Sequence, residues 1–314
     1  MAFPGILKRA ELATGLLIKS ICVNGDYLVV DSCDINQTQE SDVKNYIQGG
    51  PAYAIFNIGA KKFEGSISFP LRVDRNNNIE LAAETLLRHA AKPMQALRID
   101  TNHVITHTIA TVNDYATDNN RLISLDAVMI NSLKITADEN QPVKITISFT
   151  GMVDGHDASV YTYDSTQIMG RALSWGDCNA SRKESSMRTT SSIEVNVDNE
   201  LVTPVFLMGY EGAGAAFTQY DQISLIAVQS TKWSGQVTEV LRQGVELESY
   251  VHGGWMYQEN LRLEFGPLIA TFPYPVFKIA QIPLTSSIIR RNTSWTGINR
   301  PDASMNNNGL FTFS

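Results

Sequence analysis

Histidine and cysteine are scarce in this sequence, and the patterns that turn them into chemistry are missing. The three cysteines, Cys22, Cys33 and Cys178, are odd in number and far apart. That excludes a disulfide framework and suits folding in a reducing cytoplasm. Of the five histidines, His103 and His107 have the i,i+4 spacing of a helical metal pair. The residues between them, Val104-Ile105-Thr106, prefer a strand. In a strand four residues span about 13 Å, too far for one ion to bridge. His89 and His252 have no partners at ligand spacing, and Cys178, beside Asp177 but far from any histidine in sequence, reads as a buried or loop thiol. There is no G-x-S-x-G elbow, P-loop, H-E-x-x-H or paired-cysteine motif. Gly209, Gly212 and Gly214 in GYEGAG have the wrong order for a dinucleotide fingerprint, and a strand-like stretch follows them. The expectation is a non-enzyme without cofactor, metal or catalytic residues.

Long apolar runs and excess positive charge are also lacking. No 18 consecutive apolar residues occur, so no membrane-spanning helix is expected. The stretch from Ile6 to Val23 is broken by Lys8, Arg9, Glu11 and Lys19 and reads as an amphipathic arm docked on the body or a neighbour. The formal net charge of −7 leaves little to gain from neutralising phosphates, which argues against tight nucleic-acid binding. It is compatible with standing beside DNA without adhering.

What the chain does contain is length, strands and self-similarity. Its 314 residues exceed one ordinary core and suggest two domains. KKFEGSISFPLR (61–72) aligns without gaps on TKWSGQVTEVLR (231–242), matching Phe63 with Trp233 and Gly65 with Gly235. Three shorter matches keep the same order: SCDIN (32–36) with SIEVN (192–196), LRID (from Leu97) with LRLE (from Leu261), and SFTG (from Ser148) with SWTG (from Ser294). The drifting offsets are those of loop insertions and deletions: GYEGAGAAF (209–217) is the extra piece of copy two, and ELAAETLLRHAA (80–91) is what it lost in part.

Both glycine stretches alternate as strands with one buried face. Phe63, Ile67, Phe69 and Leu71 oppose Glu64, Ser66, Ser68 and Arg72; Trp233, Val237 and Leu241 oppose Ser234, Gln236 and Thr238. Residues 143–150 and 193–198 alternate likewise, as antiparallel sheets do. One helix is predicted over 79–91, capped by Asn78, stopped by Pro93, with Leu81, Leu86, Leu87 and Ala90 on its apolar stripe. Residues 152–172 hold the domain boundary, and the Asn-rich stretch from Arg300 to Gly309 reads as extended over a neighbour.

FEGSISFPLR, the helix after it, MINSLKITADENQPVKITISFTGMV (129–153), and the second Ser-Ser-hydrophobic and Lys-Trp-Ser-Gly strands together resemble the tail tube proteins of tailed bacteriophages. The resemblance covers about residues 20–297; FPYPVFKIAQIPLTSS (272–287) departs from it by lacking the Asn-Ser-Leu strand. It implies a mainly β (α+β) chain of two tandem antiparallel β-sandwich or barrel tube domains, each with a flanking helix, at 1–155 and 156–314. It further implies a virion structural protein, made in the bacterial host cytoplasm, whose sheets fuse into rings of three or six chains. The rings stack into a conduit through which DNA passes without specific binding, and other tail proteins (sheath, baseplate, tail terminator, tape measure) are the expected partners.

On that reading Glu64, Ser66, Ser68, Ser234, Gln236 and Thr238 line the lumen as a weakly acidic, aromatic-free wall. The connections 37–58 and 199–222 read as long loops that hold ring to ring, with Glu40, Asp42, Tyr46, Tyr210, Glu211 and Phe217 as contact residues. A baseplate hub or distal tail protein uses the same domains. A carbohydrate- or receptor-binding module is the alternative of another class, with Trp175, Trp233, Trp255 and Trp295 as stacking platforms; the alignment of Trp233 and Trp295 with Phe63 and Phe149 favours packing instead.

Overall fold

The computed structural model describes residues 14–46, 53–92, 97–108, 115–155, 170–182, 185–187, 189–201, 228–240, 260–279, 290–297 and 310–313. In the first half the elements are β1 (Thr14–Val23), β2 (Asp26–Leu28), β3 (Ser32–Tyr46), β4 (Tyr53–Pro70), β5 (Arg72–Val73), α1 (Leu81–Ala91), β6 (Leu97–Thr108), β7 (Tyr115–Asp138) and β8 (Lys144–Gly155). The second half has β9 (Arg171–Ala172), a 3-10 turn (Trp175–Asp177), β10 (Cys178–Arg182), β11 (Ser185–Ser186), β12 (Thr190–Leu201), β13 (Val228–Val240), β14 (Leu261–Phe265), β15 (Leu268–Phe272), β16 (Pro275–Ile279), β17 (Arg290–Gly297) and β18 (Leu310–Phe313). The chain is mainly β, in several antiparallel sheets.

The same order of pairing recurs in the two halves. An inner layer runs β3-β4-β8-β7 in the first and β12-β13-β17-β16 in the second. An outer layer runs β2-β1-β6-β7 and β11-β10-β14-β15, the latter extended by β18. The registers agree as well: Ile35, Gly65 and Phe149 stand in one row, as do Val195, Gly235 and Trp295. One difference is local. The 24-residue β7 serves both layers of the first half, whereas Pro273-Tyr274-Pro275 divides the second half's path into β15 and β16. Proline removes a ladder donor, so a strand that must change partners breaks there.

Each glycine has a physical reason. A methyl group on Gly65 would sit 2.5 Å from Phe149 Cζ and 2.8 Å from the Asp34 carbonyl oxygen. On Gly235 it would overlap the Glu194 carbonyl oxygen and lie 2.5 Å from Trp295 Cζ2. In both rows the aromatic ring of the neighbouring strand lies over the glycine and takes the volume a side chain would need. The first-half core then packs Ile67, Phe69, Ile145, Ile147, Leu133 and Ile135 with Ile21, Val23 and Ile99 of the outer layer and Leu86 and Leu87 of α1, all fully buried. In the second half Trp233 meets Phe311 at 4.9 Å and Phe272 at 5.6 Å between ring centroids, and Phe272 meets Trp295 at 4.1 Å. Burying each such side chain contributes about 1.5–3 kcal/mol.

Several expectations are corrected. The sheets are open, not closed barrels. The helix begins at Leu81, not at 79, because Ile79 bridges to Val73 and the Asn78 amide is held by the Asp74 carboxylate. Leu81 is consequently exposed, and the buried stripe is Ala82, Ala83, Leu86, Leu87 and Ala90. The place for a second helix, 241–259, lies outside the described residues. Residues 14–23 are a strand integral to the outer sheet, not an amphipathic arm. The supposed loop 37–58 is, over 37–46 and 53–58, the continuation of β3 and β4 as one long hairpin. Finally, FPYPVFKIA does contribute a strand, β16, in the place that β7 holds beside β8.

The connection between the halves is stitched down. β9 pairs with β5, the Arg72 side chain donates to the Gly170 carbonyl at 2.5 Å, and the Leu173 backbone bonds Leu71 and Val143. Leu173 is fully buried, and its side chain abuts Gly266 of the second half. Arg171 then holds Asp177 through two hydrogen bonds of 2.8 Å, which set the 3-10 turn into β10.

Candidate functional site

The pairing of β7 with β12 joins the two inner layers into one sheet of eight strands, β3-β4-β8-β7-β12-β13-β17-β16. Side chains directly opposite in antiparallel ladders share a face. One face is the core just described. On the other, Ser66 stands between Asp34 and Ser148, Ser148 opposite Ser132, Ser132 opposite Asp198, and Gln236 between Glu194 and Ser294. Thr146, Thr136, Asn196, Ser234, Thr238, Asn292 and Thr296 fill this surface, and its central rows, from Asp34 and Ser66 across to Ser294, carry no aromatic residue. Val240 and Val276 at its margins, Pro70 opposite Lys144 and Met129 opposite Thr150 are apolar members of it.

All six lumen candidates stand on this face: Glu64, Ser66 and Ser68 on β4, and Ser234, Gln236 and Thr238 on β13. Glu64 is exposed, Ser68 is buried, and the rest are intermediate. The hydroxyls hold one another: Ser132 and Ser148 lie 2.7 Å apart, Ser68 and Thr146 3.4 Å, and Thr238 donates to Asn292 at 3.0 Å. Such cross-strand pairs fix short side chains in place.

The face carries basic as well as acidic side chains. Asp34, Glu64, Asp138, Glu194, Asp198 and Glu200 are nearly balanced by Lys134, Lys144, Lys232, Lys278 and Arg290. Lys134 meets Glu194 at 2.9 Å across the β7–β12 junction, and Lys232 meets Glu200 at 3.2 Å. Burial alone would raise the Glu194 pKa, but hydrogen bonds from Asn196 and Lys134 hold it below the ordinary value. Ser230 and then Lys232 do the same for Glu200. The glycine strands alone, which carry the alternation of each half, do not contain most of these lysines. Their signal was visible in the alternation of Lys144, Thr146, Ser148 and Thr150, but which strands share a surface is decided by pairings between residues far apart in sequence.

The junction is also fastened from behind. Buried Asn199 on β12 donates to the carbonyls of Ala90, at the end of α1, and of Ile130 on β7, both at 3.0 Å. Its own carbonyl accepts from Thr231 at 2.7 Å. The Arg88 guanidinium of α1 lies 4.3 Å over the Phe313 ring of β18.

The remaining expected positions fall elsewhere. Glu40, Asp42 and Tyr46 stand on β3 in the long hairpin and not in a loop; Tyr210, Glu211 and Phe217 lie outside the described residues. Trp233 and Trp295 are buried in the core and offer no stacking platform; Trp175 is half-buried, and Trp255 lies outside the described residues. His103 and His107 are both on β6. Burial first, then a neighbouring aspartate, pushes the Cys33 thiol up to about 11 and the Cys178 thiol up to about 12, which keeps both protonated and unreactive at neutral pH. Among the described residues no group of three or more His, Cys, Asp or Glu could hold a metal ion, and no helix is long and apolar enough to cross a membrane. No protein-family model matches the chain, and no curated protein matches it either.

Proposed function

We propose that the chain is a structural subunit of a bacteriophage tail tube, assembling into stacked rings that form the conduit for DNA ejection. The observation that carries this reading is the hydroxyl- and amide-rich face, without aromatics in its central rows, that continues across eight strands drawn from both halves. A wall past which DNA must slide needs two properties. It must not collect phosphates through excess positive charge, and it must offer no ring on which bases stack. Nearly balanced charge and short polar side chains meet both.

The recurrence of strand order and register in the two halves supports a tandem duplication of one tube domain. Three chains of two such domains then make a pseudo-sixfold ring. Its place is the virion tail, after assembly in the host cytoplasm, among other tail proteins. Electron microscopy of the purified protein tests the reading: rings or hollow tubes are expected, and a ring mass near three chains by native mass spectrometry. Solid filaments, or hollow ones whose polar face is turned outward, would sink it; a mass near six chains refutes the trimer alone.

A further inference from the structure

The outer layers of the two halves fill their last edge by different means. In the first half β8 runs on past the inner sheet, and Met152, Val153 and Gly155 pair with Asp126, Leu125 and Ser124 of β7. In the second half β17 ends at Gly297, opposite Pro275, so it stays on β16 and leaves the edge of β15 to another strand. β18 takes that edge, with Leu310, Phe311, Thr312 and Phe313 opposite Thr271, Ala270, Ile269 and Leu268. Residues 298–309 separate it from β17, and β15 is its only strand neighbour among the described residues. On its other side it packs against α1. A place that one half fills with a continuing strand is filled in the other by a separate piece.

β18 docks by alternate side chains. Phe311, 6% exposed, stands opposite Ala270 and edge-on to Trp233, which also meets Phe272. Phe313 is partly buried beneath the Arg88 guanidinium of α1. Leu310 and Thr312 point outward and are exposed. Main-chain bonds to a sheet edge hold any extended segment, and seats for every second side chain choose among them. One ladder, one buried ring and one half-covered ring offset little more than the entropy lost in ordering four residues. Such an element opens while the rest of the fold stays closed. We propose that the trough between β15 and α1 is an acceptor site for an extended aromatic-x-aromatic strand, and that β18 is its exchangeable occupant. Docked, β18 ties α1 of the first half to the outer sheet of the second. Undocked, it bares the seat at Trp233 and Phe272. The site belongs to the single chain and stands apart from the tube reading.

Amide exchange on the unmodified chain, read by mass spectrometry, tests whether the strand lets go. Residues 310–313 should exchange at least about 100-fold faster than β12 and β14 under conditions that leave the chain folded. A synthetic peptide of residues 309–314 then tests the site. At millimolar concentration, comparable with the effective concentration of a tethered strand, it should speed exchange at 310–313 and leave 268–271 protected. Phe311→Ala in the chain removes the anchor of the competing strand, and the labelled peptide should bind that variant at least about tenfold more tightly than the wild type. The same peptide with alanine at both phenylalanine positions should not bind. Arg88→Met should weaken the peptide by about two- to fivefold, the loss of one cation–ring contact; no change there overturns α1 as a wall of the site. Exchange at 310–313 as slow as in β12 overturns the proposal, since β18 is then a fixed strand. Fast exchange that the peptide leaves unaltered overturns it too, because the end merely frays. Equal binding of the alanine peptide does the same, because the edge then takes any strand. Should Phe311→Ala fail to fold, the two exchange measurements on the unmodified chain decide alone.

Discussion

Gly65 and Gly235 meet the same requirement in unequal surroundings. Each lies under an aromatic ring from the next strand, Phe149 in one half and Trp295 in the other. Gly235 sits in the middle of a layer whose neighbour β12 is itself held by β7. Gly65 adjoins β3, which has no strand on its far side among the described residues. An enclosed strand cannot yield, whereas an edge strand can shift by tenths of an ångström. The same residue should therefore be strictly required in one half and better tolerated in the other.

The largest contrast is expected between the residues two positions before these glycines. Trp233→Ala empties a packed site among Phe272 and Phe311 and should cost about 3–5 kcal/mol. Phe63→Ala removes a ring that is only partly buried and should cost about half as much. Guanidinium unfolding of the two variants measures both, and equal losses would break the comparison. Next come the glycines themselves. Gly235→Ala should cost about 3 kcal/mol, at the upper end for overpacking, and Gly65→Ala about 1 kcal/mol. Thermal unfolding that ranks them the other way would show that the edge is no freer than the interior.

A third variant sharpens the comparison at the junction. Asn199→Ala leaves the Ala90 and Ile130 carbonyls without their buried donor, at a cost of about 1–3 kcal/mol. Denaturant midpoints of the variant and the wild type measure it. The smallest effect concerns acid. Hydrogen bonds from Arg171, against a modest opposing effect of burial and with help from Ser174, lower the Asp177 carboxyl to about 2. Unfolded, it titrates near 3.9. Its stabilising contribution is therefore complete above about pH 4 and is lost as the pH falls toward 2. Tryptophan fluorescence during acid titration should show Asp177→Asn less sensitive than the wild type in that window, with Trp175 beside the ion pair as reporter. Unchanged acid sensitivity would mean that the stitched connection does not depend on this pair.

Much of the inner layer was legible because its strands alternate with period two. Gly65 and Gly235 mark the same register because the aromatic at the second position of SFTG or SWTG needs the room above them. The long hairpin was hidden because QTQESDVKNY is mostly polar and reads as a loop, although it ladders with residues 53–63. The double service of β7 was hidden for another reason. Its 24 residues carry no signal for the point where the partner changes from β6 to β12, which only the three-dimensional packing decides. The polar face was likewise half visible: the hydroxyls of β4 and β13 were found, and the lysines of β7 and β8 were not, because a surface belongs to several strands at once.

The buried Leu173, wedged between Leu71 and Val143 on one side and Gly266 on the other, has a geometric consequence. A loose tether would let the two halves take many mutual angles, and any polygon they built would have a variable number of sides. A pinned tether turns each chain into a wedge of constant angle. On the ring proposed above, the number of wedges that complete a full turn is then an arithmetic property of one molecule, settled before it meets another. Enlarging the Leu173 side chain would alter that angle, and with it the circumference.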